Sequence, residues 1–283
     1  MTRTLKTSFK KFKNVVTFWR RRFNDAQINQ VAASLAYTTV LALVPMLSLA
    51  TVLIAKLPQF INWRETLNQW LATFLIPGAL SGNVALYLTQ FSSHAKGLTI
   101  FGLTTILLIT FFTLSTIERA FNQVWQIKRS RPWRRRLVIY IFATLFGPVL
   151  LGMSVYFTSI FMTTTGGLTK DLSGNFHLLR LIFPFAITVL TFFLLYRFGP
   201  NISVRAYDAF WGGLCAAIIF ESAKYGFTYF ISKAPVYKTL YGAFAIAPLF
   251  LLWIYLTWWV TLSGAVLTAS LPKIRGSFDL HQQ

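Results

Sequence analysis

The 283-residue chain reads as an all-α polytopic membrane protein with six transmembrane helices and an N-terminal interfacial amphipathic helix. Three observations carry that reading. Hydrophobic residues make up 55% of the chain and charged residues only 12%, where a soluble domain carries roughly a quarter charged. The apolar residues gather in six runs of the length, about 20 residues, that a hydrocarbon core about 30 Å thick requires of a helix. Finally, 27 Lys+Arg stand against 7 Asp+Glu, and the basic residues crowd into alternate connections. A water-soluble globule is excluded by this composition. Disorder is excluded by 28 Phe, 11 Tyr and 9 Trp, because disordered chains are poor in aromatics. The one cysteine, Cys215, rules out a disulfide framework or a multi-cysteine metal site and reads as a small packing residue.

Residues 1–30 form the first unit, a basic amphipathic cytoplasmic helix. At about 100° per residue, Leu5, Phe9, Phe12, Val16, Trp19 and Phe23 fall within an arc of about 80°. Lys10, Lys11, Arg20, Arg21 and Arg22 are among the basic residues on the rest of the circle. Such a helix lies in the plane of the inner leaflet, its aromatic edge in the acyl boundary and its charges on anionic headgroups. A helix packed on the bundle is the alternative. RNA is not needed to explain the charges, since membrane phosphates already satisfy them. The apolar run that follows is too long for the core of a cleavable signal, so the first span is expected to stay uncleaved.

The second unit, 31–271, holds the spans, at roughly 31–55, 98–118, 137–162, 178–196, 209–231 and 243–270. In the first, Ser34, Tyr37 and Thr38 share a side with Ala42, Pro45 and Ser48, a polar stripe expected to face the bundle interior. The connection 56–97 carries Trp63, Leu67, Trp70, Leu71 and Phe74 at helical spacing and is expected to lie on the outer surface. Pro148, Pro184 and Pro248 are expected to interrupt three further spans. Residues 272–283 read as a cytoplasmic tail. Nineteen basic residues fall on the side of the N-terminus, the second and fourth connections and the tail, and seven on the other, with Lys224 inside a span. The excess of positive charge is expected to place both termini in the cytoplasm.

Two groups of residues stand out for chemistry. Glu221 and Lys224 lie near the middle of the fifth span, where an unpaired charge costs about 2.5–3.5 kcal/mol. Spaced i to i+3, they can meet on one face, and Gly213, Ala217 and Thr228 share their stripe. They form either a polar site on a substrate pathway or a structural ion pair. At the inner end of the second span comes Glu118-Arg119-Ala120-Phe121-Asn122-Gln123-Val124-Trp125, then Lys128-Arg129 and Arg131-Pro132-Trp133-Arg134-Arg135-Arg136. Glu118 and Arg119, among apolar neighbours, are expected to pair within the bundle and with Asn122 to border the pathway. Lys128, Arg129, Arg134, Arg135 and Arg136 are expected to contact anionic lipid, with Trp125 and Trp133 as interfacial anchors; plain topogenic charge is the alternative.

Little in the sequence supports an enzyme. His94, His177 and His281 are scattered, and the chain contains no HExxH, GxSxG, Walker or glycine-rich phosphate motif. Asp25, Glu118, Asp208 and Asp279, the inner-side carboxylates, are dispersed, whereas a metal-dependent nuclease needs several that converge. No metal or other cofactor is expected. Lipid is the expected partner and nucleic acid is not, while a homo-oligomer is allowed but not required.

The chain resembles the YihY/BrkB family of bacterial inner-membrane proteins from about residue 20 to 271. The resemblance rests on Ala32-Ala33-Ser34-Leu35-Ala36-Tyr37 with Pro45, on the Glu118–Trp125 segment with Arg131-Pro132, and on Tyr196-Arg197-Phe198-Gly199-Pro200-Asn201. It continues through Glu221 with Lys224, Tyr237 with Tyr241-Gly242, Leu252-Trp253-Ile254-Tyr255 and Gly264-Ala265. It implies a six-helix inner-membrane protein of the UPF0761 type. Members have carried a ribonuclease label regarded as a misassignment, and some relatives are linked to export of lipid-like envelope precursors. The function implied is transport or flipping of an amphiphilic, anionic envelope lipid or similar solute, with a non-transporting scaffold and a tRNA-processing ribonuclease as successive alternatives. Where many relatives carry an acidic residue and Asn after Gly-Ala, this sequence reads Val266-Leu267-Thr268.

Overall fold

The structure, a computed structural model, describes residues 21–54, 100–127, 132–138, 140–141, 175–233 and 246–279. Among these lie five long helices and no strand: α1 Ile28–Ile54, α2 Ile100–Val124, α3 Asn175–Phe198, α4 Ala206–Lys233 and α5 Ile246–Asp279. Short helical stretches occupy 21–25 and 133–138. The five helices fall on five of the six expected spans. The remaining one, 137–162, lies outside the described residues except at its start, as do residues 1–20 and the surface helix expected within 56–97.

These segments are helical because a run rich in Leu, Phe, Ile and Ala in an apolar surround can satisfy its backbone only within itself. Their hydroxyls follow suit by bonding one turn back. Thr113 Oγ1 donates to Ile109 O at 2.8 Å, Thr261 Oγ1 to Thr257 O at 2.7 Å and Ser270 Oγ to Val266 O at 2.7 Å. So satisfied, Ser and Thr need no water and sit in the packed interior. Proline acts differently at different places. Pro184 lies inside α3, but Pro248 falls in the first turn of α5, where no helical hydrogen bond is lost. Pro248 therefore does not interrupt its span. Pro272 does lie inside α5, which runs on to Asp279 through residues expected to form a tail.

α5 is the centre of the arrangement. It packs against α1 on one side and α4 on the other, with α2 beyond α1 and α3 beyond α4. Val260, Leu262, Ala265 and Val266 of α5 are buried with Ala32 and Leu35 of α1 and Ala216 and Ala217 of α4. Small residues set the spacing. A Cβ on Gly213 would stand 2.9 Å from Phe193 N in α3, and one on Gly212 would run into Thr268 of α5. The outer surface is the reverse of a soluble protein's, with Ile218, Ile219, Tyr225, Tyr229 and Phe230 of α4 and Leu251 and Leu252 of α5 exposed. Both helices are long and apolar enough to cross a bilayer, and only 22% of the apolar window of α4 is buried. A core helix of a soluble protein would hide that face.

Candidate functional site

Glu221 stands about 22 Å along α4 at 1.5 Å per residue, near the midpoint of a helix about 42 Å long. Lys224 Nζ lies 2.8 Å from Glu221 Oε2, with side-chain exposures of 12% and 18%. The other carboxylate oxygen is engaged too. Thr188 of α3 places its hydroxyl 3.0 Å from Glu221 Oε1 and 3.1 Å from Pro184 O, so its single proton serves one acceptor at a time. The Lys224 ammonium also lies 5.8 Å from the Phe220 ring centroid, within cation–π range. Phe220 in turn packs on Phe192 of α3 and Trp253 of α5. The charges thus sit where three helices meet, in an aromatic surround.

A second polar assembly occupies the C-terminal end of α2. Tyr140 donates to Glu118 Oε2, and Arg136 Nε lies 3.4 Å from that oxygen. Arg136 Nε also donates to Tyr140 Oη at 2.9 Å, and its Nη2 donates to Ser115 Oγ. The guanidinium lies 5.3 Å from the Tyr140 ring centroid and 6.0 Å from that of Phe111. Glu118 is buried, and among the described residues its Oε1 has no hydrogen-bond partner. Asn122 Oδ1 accepts from the Asn201 amide at 3.1 Å, which ties α2 to the connection between α3 and α4. Tyr196 Oη donates to Thr261 O at 2.8 Å in the core, and Gly264 leaves the room this contact needs.

Several expected residues are placed differently from the sequence reading. Glu118 pairs with Arg136, not Arg119, whose Nη2 instead donates to Ser115 Oγ at 3.1 Å while the side chain stays accessible. Arg136, expected on lipid headgroups, turns inward because a buried carboxylate across the turn holds it more strongly than water does. Arg134 and Arg135 are exposed, and Arg134 lies 5.7 Å from the exposed Trp133 ring. Arg21 is exposed and Arg22 half-buried. Lys10, Lys11, Arg20, Lys128 and Arg129 lie outside the described residues.

Of the α1 stripe, Ala42 is buried, Ser34 and Tyr37 are not, and the side chains of Pro45 and Ser48 lie outside the described ones. Tyr37 is 63% exposed, Ser34 is exposed, and Thr38 bonds back to Ser34 O at 2.7 Å. The packed face instead runs through Ile28, Ala32, Leu35, Thr39 and Ala42, which share an arc of about 80° nearly opposite Tyr37. Thr39, the neighbour of the residue expected, accepts from Trp258 Nε1 at 2.9 Å. Thr188, Ser115, Tyr140 and Thr39 are all participants that sequence reasoning missed. Of these, only Thr39 had a local signal, the small-residue periodicity of α1.

The geometry defines a helical bundle with two ion pairs among its helices and an apolar exterior, the construction of an integral membrane protein. The sequence profile of the virulence factor BrkB family matches residues 19–282. The chain belongs to that family. A UPF0761 membrane protein of Ralstonia nicotianae is 40% identical over 258 residues, covering 91% of this chain and 58% of the relative. Counterparts from Paraburkholderia xenovorans and a Janthinobacterium species are 39% and 38% identical, covering 93% of this chain and 61% and 60% of their own lengths. The chain thus spans about three fifths of the length of the curated relatives it matches. No solved structure matches it.

Proposed function

We propose that this membrane protein transports or flips an amphiphilic, anionic envelope lipid or similar solute across the bacterial inner membrane. In this reading the chain crosses six times with both termini in the cytoplasm. Exposed Arg134 and Arg135 gather headgroups at the inner leaflet, and Lys224, held by Glu221, receives the headgroup midway. The observation that carries the reading is an ion pair halfway along an apolar helix, because charge at that depth is expensive and marks pathways by default. The test is reconstitution into liposomes with a fluorescent anionic lipid in one leaflet, followed by chemical quenching from outside. Acceleration of its movement by the wild type, and its loss in Lys224→Met, are expected. Wild-type vesicles no faster than empty ones would sink the transport reading.

One observation favours a second reading, that of a non-transporting scaffold. Both Glu221 oxygens are engaged within the protein, and Gly213 lets α3 and α4 approach backbone to backbone, as a purely structural pair would require. We assign no enzymatic activity. Among the described residues no three His, Cys, Asp or Glu side chains are grouped to hold a metal ion, which weighs against the ribonuclease alternative. Purified protein is expected to leave precursor tRNA intact in divalent metal. Cleavage abolished by Glu118→Gln or Asp208→Asn would overturn that assignment.

A further inference from the structure

The short helix 21–25 and α2 end at the same place, and each ends on a residue other than glycine in the left-handed region: Gln27 with φ 48° and Gln126 with φ 56°. That conformation costs a residue with a side chain about 1 kcal/mol or more, and such residues cluster at binding sites. At the end of α2, Ile127 N donates to Asn122 O at 2.8 Å and Gln126 N to Gln123 O at 3.0 Å, a paired closure around a left-handed cap. The 21–25 stretch closes with Gln27 N donating to Asn24 O at 2.9 Å. Gln123 Nε2 then donates to Ala26 O at 3.2 Å and ties the two ends together.

Between them lies a cleft of ≈ 490 Å³ whose polar lining is Arg22, Asp25, Asn122, Gln123 and Gln126. Its size is that of a small-molecule site, about 300–1,000 Å³. Arg22 and Asp25 sit one helical turn apart, and among the described residues neither forms an ion pair. The lining therefore holds one guanidinium, one carboxylate and three carboxamides, and the carbonyl ends of two helices add partial negative charge beside it. A simple anion would be repelled by Asp25 and the helix ends, and a simple cation by Arg22. A zwitterion with both charges a few bonds apart answers both. None of the described lining residues is aromatic, and hydrogen-bond acceptors for a primary ammonium are present among them.

We infer that this cleft binds the phosphoethanolamine headgroup of a membrane lipid. Arg22 takes the phosphate through its planar fork. Asp25 and the carbonyl end of α2 take the ammonium, and the exposed amide group of Gln126 reaches the ester oxygens. The lipid is a resident at the inner rim of the bundle and does not depend on what, if anything, the bundle moves.

The test uses the full chain in detergent, offered phosphatidylethanolamine, phosphatidylcholine and phosphatidylglycerol of identical acyl chains, with retained lipid counted by native mass spectrometry. The wild type is expected to prefer phosphatidylethanolamine by at least about ten-fold over the other two. Asp25→Asn is expected to erase the preference over phosphatidylglycerol, and Arg22→Gln to weaken both. A roughly hundred-fold excess of soluble phosphoethanolamine is expected to displace little, because it lacks the acyl chains that add affinity. Absence of preference in the wild type, or a preference untouched by Asp25→Asn in protein that still unfolds at the wild-type temperature, overturns the inference. Displacement by equimolar phosphoethanolamine also overturns it, by making the cleft a site for a soluble compound. Should a variant fail to fold, the wild-type preference alone decides.

Discussion

The pair on α4 offers a quantitative test, because its geometry fixes what each substitution leaves behind. With 2.8 Å between Lys224 Nζ and Glu221 Oε2, the direct attraction at an effective dielectric near 20 is about 6 kcal/mol, before desolvation offsets most of it. Lys224→Met leaves the Glu221 carboxylate with the Thr188 hydroxyl, and Glu221→Gln leaves the ammonium without that carboxylate. Removing one partner of a fully buried pair costs about 3–5 kcal/mol. With 12–18% of each side chain exposed, about 2–3 kcal/mol per single variant is expected, since water at the rim screens part of the penalty. The double variant is expected to be no less stable than either single one, a coupling of about 2–3 kcal/mol. Thr188→Val in the wild-type background removes a hydrogen bond to a charged group, about 1.5–3 kcal/mol, and should cost less when Glu221 is already Gln. Reversible unfolding in mixed micelles, read by tryptophan fluorescence, measures all of these. Additive effects of the two charge variants, within about 0.5 kcal/mol, would show that the contact carries no coupling and refute the reasoning.

Three further outcomes follow from the packing, the second polar assembly and the charge asymmetry. Gly213→Ala, whose Cβ would stand 2.9 Å from Phe193 N, is expected to destabilise by about 1–3 kcal/mol, whereas Gly226→Ala meets nothing within 4 Å and should be neutral or slightly stabilising. Equal effects in the same unfolding assay would contradict the close approach of α3 and α4. At the C-terminal end of α2, Tyr140→Phe is expected to cost about 1.5–3 kcal/mol by removing a hydrogen bond to Glu118, and Arg136→Gln more, by leaving that carboxylate without its cation. Denaturation curves that superimpose on the wild type would dismiss the assembly as a stabilising unit. A reporter after Gln283 is expected to be cytoplasmic and one inserted near Gly82 external; activity of both on one side would exclude the six-span topology.

Where the sequence spoke plainly, the signal was local. Long apolar runs announced five of the helices, and i to i+3 spacing brought Glu221 and Lys224 together. Contacts across the chain left no such mark. Thr188 lies 33 positions from Glu221 and Tyr140 lies 22 from Glu118, separations at which no periodicity operates. Helix ends were misjudged for a related reason. Hydropathy falls away at Glu118, yet α2 continues to Val124, because a helix does not stop where the apolar run stops but where a left-handed cap such as Gln126 closes it. In α1 the polar stripe and the packed face lie about a third of a turn apart and share Ala42 at their border. The face with Ala32 packs in the core because a small side chain lets helices approach while giving up little side-chain entropy.

The same preference for compact, self-satisfied groups shows in the Val266-Leu267-Thr268 stretch of α5. Val266 is 1% exposed and Thr268 is buried, with the Thr268 hydroxyl donating to Gly264 O at 2.8 Å and its side chain filling the space above Gly212. An acidic side chain at Val266 would be desolvated there and would need its own cation, which the buried neighbours Leu262, Ala265 and Val260 cannot supply. A valine removes that requirement and leaves α5 free to pack against α1 and α4 at once. Besides the buried Asp208 carboxylate, the described interior holds two charged assemblies, Glu221 with Lys224 and Thr188, and Glu118 with Arg136 and Tyr140. Each holds one acid and one base, so neither adds net charge to the bundle. Arg134 and Arg135 stand outside these assemblies, exposed.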